Sequence, residues 1–154
     1  MELPMQILGS TPETEIVSSR IFKVNVETLF RAFSDPKHLK SWWGPKGFSN
    51  TFHTFEFKEG GTWKFTIHGP EKGNYENECV FLKIIPNELL VWNRISQPLF
   101  QMHLTFEKVD KANTRLIFKM LFNTSEERAK LISFVPEKNE ENFDKLENVL
   151  LQIP

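Results

Sequence analysis

Alternating apolar and polar side chains fill the middle of the chain, from residue 51 to about residue 122. Segments rich in Gly, Pro, Asn or Asp divide this stretch roughly every ten residues, as turns divide a series of hairpins. In one run Trp63 and Phe65 alternate with Lys64 and Thr66. Such alternation is typical of antiparallel strands with one buried face. The pattern predicts six strands of an antiparallel sheet.

One strand and two short helices are predicted ahead of these six strands. Residues 13–24 are dense in β-branched and apolar side chains, which favours a first strand. Apolar residues then recur at helical spacing over residues 26–33, behind Asn25 as the N-cap. A second short helix begins at Asp35-Pro36 and ends at Gly44-Pro45, because Gly accepts the left-handed cap and Pro cannot continue a helix.

Two helices are predicted after the sheet. Thr124 and Glu127 fit a capping box, which opens a short helix over residues 125–134. Val135-Pro136 is expected to interrupt it, and a longer helix is expected from about Glu137 to Gln152. A sheet with one apolar face has to cover that face, and only this last helix is long enough. Its apolar stripe consists of Phe143, Leu146, Leu150 and Ile153.

Length and charge limit the classes of protein to which the chain can belong. Its 154 residues predict a single domain, over residues 14–154. Pro4, Gly9, Ser10 and Pro12 predict a loose leader over residues 1–13, which lacks the pattern of a signal peptide. The net charge of −1 creates no basic field for nucleic acid or anionic lipid. No apolar run approaches the roughly 18 residues of a membrane span. The single cysteine suits a reducing compartment, so we expect a cytoplasmic protein.

The sequence offers no constellation for catalysis or metal binding. The four histidines are His38, His53, His68 and His103. Alternation turns His68 and His103 away from the apolar side and allows only His53 to point inward. Cys79 has no neighbouring base to activate it, which favours a buried structural thiol. We therefore predict no catalytic residue, no metal site and no cofactor.

Several segments in order resemble one known family. They are "FRAFSDPKHLKSWWGPKGF", "FEFKEGGTWKFTIHGPEKGNYENECVFLKIIPNELLVWNR", "LTFEKV" and "NTRLIFK". Together they resemble single-domain proteins similar to the C-terminal domain of the activator of heat-shock protein 90 ATPase, in the START-like (SRPBCC) superfamily. The resemblance covers roughly residues 14–152. Its most specific marks are Asp35-Pro36, Trp42-Trp43-Gly44-Pro45, Gly60-Gly61 and Thr114-Arg115-Leu116.

The resemblance implies an α+β helix-grip fold, in which a curved antiparallel sheet wraps around the long C-terminal helix. It also implies a deep cavity between sheet and helix, used across the superfamily for lipids, sterols, polyketides and other apolar molecules. Heat-shock protein 90 is a further candidate partner that the resemblance implies.

The aromatic content fits such a cavity but equally fits a bulky core. The chain has 15 Phe and 4 Trp against one Tyr. Our preferred interpretation is the non-enzymatic binding of a small hydrophobic or aromatic ligand, of the lipid, sterol or aromatic class. The predicted wall residues are Trp63, Phe65, Trp92, Met102, Phe118, Met120, Phe143, Leu146 and Leu150.

Two features leave alternatives open. Trp42 and Trp43 are adjacent, and consecutive helical residues point about 100° apart. One can therefore pack against the sheet while the other lies at the cavity mouth, or both can plug the end of the core. Arg94 is in phase with Leu90 and Trp92. It can orient a ligand carboxylate or carbonyl inside an apolar chamber, or it can reach water at the end of its strand.

Two other functions are alternatives to ligand binding. One is a cochaperone-like module that acts on heat-shock protein 90. The other is an enzyme similar to the polyketide cyclases and dehydratases of the superfamily, which needs an acid–base pair inside the chamber. The phase of the strands leaves only His53, Glu78 and Arg94 as candidates for that pair.

Overall fold

The computed structural model describes residues 7–9 and 11–154 of the chain. Within these residues one antiparallel sheet has the strand order β1-β7-β6-β5-β4-β3-β2. The predicted α+β helix-grip architecture is confirmed. The elements are β1 (Glu15–Phe22), α1 (Val26–Ser34), α2 (Pro36–Trp42), β2 (Ser49–Phe55), β3 (Thr62–His68), β4 (Asn74–Ile85), β5 (Leu89–Arg94), β6 (Phe100–Asp110), β7 (Asn113–Leu121), α3 (Ser125–Ala129) and α4 (Val135–Leu150).

The sheet buries one face under α4. Strands β2 to β7 form a meander, and β1 pairs with β7 beyond it. Phe143 of α4 packs edge-on against Phe22 of β1 and Phe118 of β7, with ring centroids 5.8 and 5.4 Å apart. We call the face that contacts α4 the inner face and the opposite one the outer face.

Helix α4 begins earlier than the sequence pattern suggests. The expectation that Val135-Pro136 would interrupt the chain before a helix from Glu137 to Gln152 is wrong, because α4 spans Val135–Leu150. Proline fits the first helical turn, where the backbone N–H has no intrahelical partner to lose. The preceding helix, expected over residues 125–134, is shorter and ends at Ala129. Its predicted cap is present, since Thr124 Oγ1 accepts a hydrogen bond from the backbone N–H of Glu127 at 3.2 Å.

The predicted leader over residues 1–13 lies partly outside the described residues, because residues 1–6 and 10 are not among them. The backbone N–H of Leu8 donates a 2.8 Å hydrogen bond to Oε1 of Gln101. Gln101 alternates with the inner-face residue Met102 and is 0% exposed. This contact attaches Leu8 to the outer face of the sheet.

The first tryptophan of the adjacent pair joins α1 to α2. In a continuous helix the carbonyl of Ala32 would accept a hydrogen bond from the backbone N–H of residue 36. Residue 36 is proline, which has no backbone N–H. The indole Nε1–H of Trp42 donates to this carbonyl instead, at 2.9 Å. Asp35 caps the second helix by accepting from the N–H of Lys37 at 2.9 Å. Trp42 therefore fixes the angle between the two short helices.

Replacing Trp42 with Phe should destabilise the fold. The substitution leaves the buried Ala32 carbonyl unpaired, and an unpaired buried acceptor costs about 1–3 kcal/mol. We expect at least that loss in the free energy of unfolding, measured by urea denaturation. Trp43→Phe is the matched control, since no described residue accepts a hydrogen bond from the Trp43 indole. Equal losses in the two variants would contradict this role of Trp42.

Arg20 of β1 fastens α4 to the edge of the sheet. Its guanidinium donates to Glu140 at 2.8 Å, to Asp144 at 2.9 Å and to Glu147. It also lies over the ring of Phe143, 5.4 Å from the centroid. Three carboxylates from successive turns of one helix thus converge on one strand residue.

The substitution Arg20→Met should lower the free energy of unfolding by about 1–2 kcal/mol, because exposed ion pairs each contribute about 0.2–1 kcal/mol. The effect should shrink at high salt, which screens such pairs. Arg115→Met is the control, because the one ion pair of Arg115 with a described residue is to Glu107, and both side chains are 46% exposed. A loss for Arg20→Met that does not change with salt would show that the ion pairs are not its cause.

Candidate functional site

The predicted wall residues meet in one apolar cluster between the sheet and α4. Any internal space large enough for a water molecule would give the side chains around it accessible surface. Trp63, Phe143 and Leu146 are 0% exposed and so border no such space. The centre of the interface is therefore closed, and ligand binding by the walls stays a prediction. Among the residues predicted for the site, those at most 6% exposed are Trp42, Trp63, Phe65, Trp92, Met102, Phe118, Met120, Phe143, Leu146 and Leu150.

Trp43 fills the space in front of these walls. Its ring centroid lies 5.5 Å from Trp63, 5.7 Å from Trp92 and 6.0 Å from Phe118. Trp43 is only partly buried, whereas Trp42 is 0% exposed. The two tryptophans therefore differ in role. Trp42 is part of the core, and Trp43 covers the aromatic wall from the side of α2.

Two polar atoms in the buried interface have no partner among the described residues. One is the indole Nε1 of Trp63 on β3, and the other is Oδ1 of Asn142 on α4. Asn142 precedes Leu146 by one helical turn, so the two share the buried face of the helix. Leaving such groups unpaired costs about 1–3 kcal/mol each. A ligand that offered an acceptor to Trp63 or a donor to Asn142 would recover part of that cost.

The register of the strands places Arg94 in the same row as Trp63. Trp63 pairs with Cys79, Cys79 pairs with Arg94, and Arg94 pairs with Phe100. Residues directly opposite each other on paired strands lie on one face of the sheet. Arg94 is therefore on the inner face with Trp92, as the alternation predicts.

Within the described residues, every hydrogen bond of Arg94 goes to a neutral oxygen. Its Nε donates to the Ser96 carbonyl at 3.1 Å, and one terminal nitrogen donates to the Gln97 carbonyl at 2.8 Å. The other terminal nitrogen donates to Oδ1 of Asn77. The guanidinium carbon lies 5.6 Å from the centroid of the Phe100 ring. Arg94 is thus held in place by polar groups, but none of them carries a negative charge.

Cys79, beside Arg94, does not supply that charge. Burial raises the pKa of its thiol to about 12, and this outweighs the opposite effect of the Arg94 charge. Burial also lowers the pKa of Arg94. Because Cys79 stays protonated near neutral pH, the prediction of a buried thiol that is not a nucleophile fits its environment.

His53 does not point into the interface. The sequence pattern placed it in phase with inward aromatic side chains, but the register shifts between Phe52 and Thr54. A bulge of this kind inserts one extra residue and changes the face on which the following residues lie. The Nε2 of His53 lies 2.7 Å from Oγ1 of Thr66, which donates to Glu76 at 2.8 Å. These three residues form a polar chain on the outer face.

The proposed acid–base pair is not assembled in this structure. Glu78 pairs with Lys64 on the outer face, and the His53 side chain contacts Thr66 on that same face, whereas Arg94 is on the inner face. An acid–base pair inside the chamber needs two inward-facing groups, and of these three residues only Arg94 faces inward. The geometry therefore does not support the cyclase or dehydratase alternative with these residues.

Several residues of the site were not identified from the sequence. Asn77, the partner of Arg94, is in phase with Cys79 and Phe81 of the same strand. This alternation is visible in the sequence and could have placed Asn77 on the inner face. Phe52 and Phe55 pack against Trp63 at 5.5 and 5.9 Å between ring centroids. The bulge between them hides their common face from any simple alternation.

The described part of the chain lacks two further features, a metal site and a membrane-spanning helix. It contains no group of three or more His, Cys, Asp or Glu residues that could hold a metal ion. No helix in residues 7–9 and 11–154 is long and apolar enough to cross a membrane.

Solved structures with this fold come from several bacteria. A protein from Nitrosomonas europaea is 21% identical with a TM-score of 0.83, over 93% of this chain and 97% of its own. A protein from Arthrobacter aurescens is 20% identical with a TM-score of 0.84, over 96% and 91%. A third, from Rhodobacter sphaeroides, is 22% identical with a TM-score of 0.84, over 95% and 98%. At such identities the likeness shows the fold.

Family membership follows from the sequence itself. No curated protein matches the chain. The family model described as "Activator of Hsp90 ATPase homolog 1-like protein" matches residues 23–151, which include all four helices and six of the seven strands. This chain belongs to the family of Activator of Hsp90 ATPase homolog 1-like proteins.

Proposed function

We propose that this chain binds a small hydrophobic or aromatic molecule between the sheet and α4, without catalysing a reaction on it. The observation that carries the proposal is the position of Trp43, a partly buried ring that covers three rings of the wall. A ligand can replace this ring and leave the rest of the core intact. Burial of the ligand then contributes about 25 cal/mol per Å² of apolar surface, before the costs of association.

The segment that carries Trp43 is suited to such an exchange. Gly44 and Gly47 have φ angles of 101° and 87°, which glycine adopts without a steric penalty. Polar contacts attach the segment to its surroundings: the Trp43 carbonyl accepts from Asn50 at 2.6 Å, and the Phe48 carbonyl accepts from Lys145 Nζ at 2.9 Å. Water can replace both donors when the segment moves, so its movement need not leave either carbonyl without a hydrogen bond.

Removing the Trp43 ring should speed up ligand entry. We expect Trp43→Ala to raise the association rate constant of N-phenyl-1-naphthylamine, an apolar fluorescent probe, at least tenfold in stopped-flow measurements. The reason is that the probe no longer has to displace the Trp43 ring before it can reach the wall.

Leu146→Ala is the matched control, because it removes buried volume from α4 without opening the side covered by Trp43. Its association rate constant should stay near the wild-type value. No binding of the probe to either the wild type or Trp43→Ala would contradict the proposed function. Equal rate constants for all three proteins would contradict the role of Trp43.

A second candidate function follows from the family description, which names the activation of the Hsp90 ATPase. A cochaperone would act through its surface and would not need Trp43 to move. We expect the ATPase rate of heat-shock protein 90 from the same organism to stay constant as this protein is titrated. An ATPase rate that rises and saturates would favour the cochaperone function instead. If Trp43→Ala stimulated the ATPase as much as the wild type, that stimulation would not depend on ligand entry past Trp43.

A further inference from the structure

We propose that the ligand is an apolar carboxylic acid and that the guanidinium of Arg94 binds its carboxylate at the end of the aromatic wall. This inference rests on the proposed function and specifies the chemical class of the ligand. The wall accounts for an apolar body, and Arg94 accounts for one anionic end.

The first support is the absence of a counter-charge. Arg94 is half-buried, and charges withdrawn from water in proteins are normally paired, yet no Asp or Glu among the described residues lies within ion-pair distance of Arg94. The carboxylates nearest in sequence to its partner Asn77 are Glu76 and Glu78. Both point to the outer face, because they pair with Thr66 and Lys64 there. The inner face around Arg94 therefore carries an unbalanced positive charge.

The second support is the number of donors that remain. A guanidinium has five N–H donors, and three of them bond to Ser96, Asn77 and Gln97. Two donors are left, one on each terminal nitrogen. A carboxylate can accept from both terminal nitrogens at once, in the bidentate arrangement that arginine favours. The three existing bonds and the Phe100 ring already fix the guanidinium, so little conformational entropy remains to be lost.

The third support is the position of Arg94 relative to the wall. Arg94 and Trp63 lie two strands apart in one row, with Cys79 between them. Neighbouring strands are about 4.8 Å apart, so the two Cα atoms are separated by roughly 10 Å. The unpaired indole N–H of Trp63 lies in the same row. A ligand whose rings lie against Trp63 and Trp92 can therefore place a carboxylate near Arg94.

The test uses two ligands that differ in charge but hardly in shape, 2-naphthoate and 2-naphthamide. Their dissociation constants for the full chain are measured by isothermal titration calorimetry at pH 7. We expect 2-naphthoate to bind at least tenfold more tightly than 2-naphthamide. In Arg94→Gln the ratio of the two dissociation constants should fall close to one. Arg115→Gln, which changes an exposed arginine on β7, should keep the wild-type ratio.

Arg94→Lys serves as a second variant in case Arg94→Gln does not fold. It keeps the charge but loses the bidentate geometry, so its ratio should lie between those of the wild type and of Arg94→Gln. Equal affinity for the two ligands, or a preference for the amide, would overturn the carboxylate proposal and leave the proposed function standing. A preference for 2-naphthoate that survives in both Arg94 variants would also overturn it. Failure of both ligands to bind would count against both proposals.

Discussion

Helix α4 covers the apolar face of a seven-stranded sheet together with α1 and α2, and the rest of the structure depends on that cover. Phe143 supplies the central packing, because it meets Phe22 and Phe118 from opposite strands of the β1–β7 pair. Arg20 adds a set of ion pairs at the edge, with three carboxylates of α4. The helix is therefore attached firmly at β1. Toward β2 and β3 the cover is completed by α2 and the segment after it.

This uneven attachment explains why two adjacent tryptophans have different environments. Trp42 is tied to α1 by a hydrogen bond that replaces the one Pro36 cannot donate. Trp43, the next residue, leaves the helix and lies across the wall formed by Trp63 and Trp92. One ring holds the short helices together, and its neighbour completes the cover of the sheet. The proposed function requires only the second ring to move.

Arg94 places a positive charge on this largely aromatic inner face, and no carboxylate among the described residues forms an ion pair with it. Its neighbours hold it in position through neutral oxygens, and the adjacent thiol of Cys79 stays protonated because burial raises its pKa. A charge that is fixed in place but not neutralised is well suited to recognise an anion. A purely structural role explains the charge less well, because no carboxylate partner offsets the cost of partly burying the guanidinium.

The sequence by itself determined the order of the elements, the alternating faces of most strands and the caps at Asn25, Asp35 and Thr124. These features depend on neighbours a few residues apart, so local periodicity and capping chemistry are enough to predict them. Tertiary structure decided which tryptophan became core, because that depends on a carbonyl ten residues away. It also put His53 on the outer face, since one bulge reverses an alternation. The partners of Arg94 come from a separate strand and from the turn after its own, and only strand pairing brings them together.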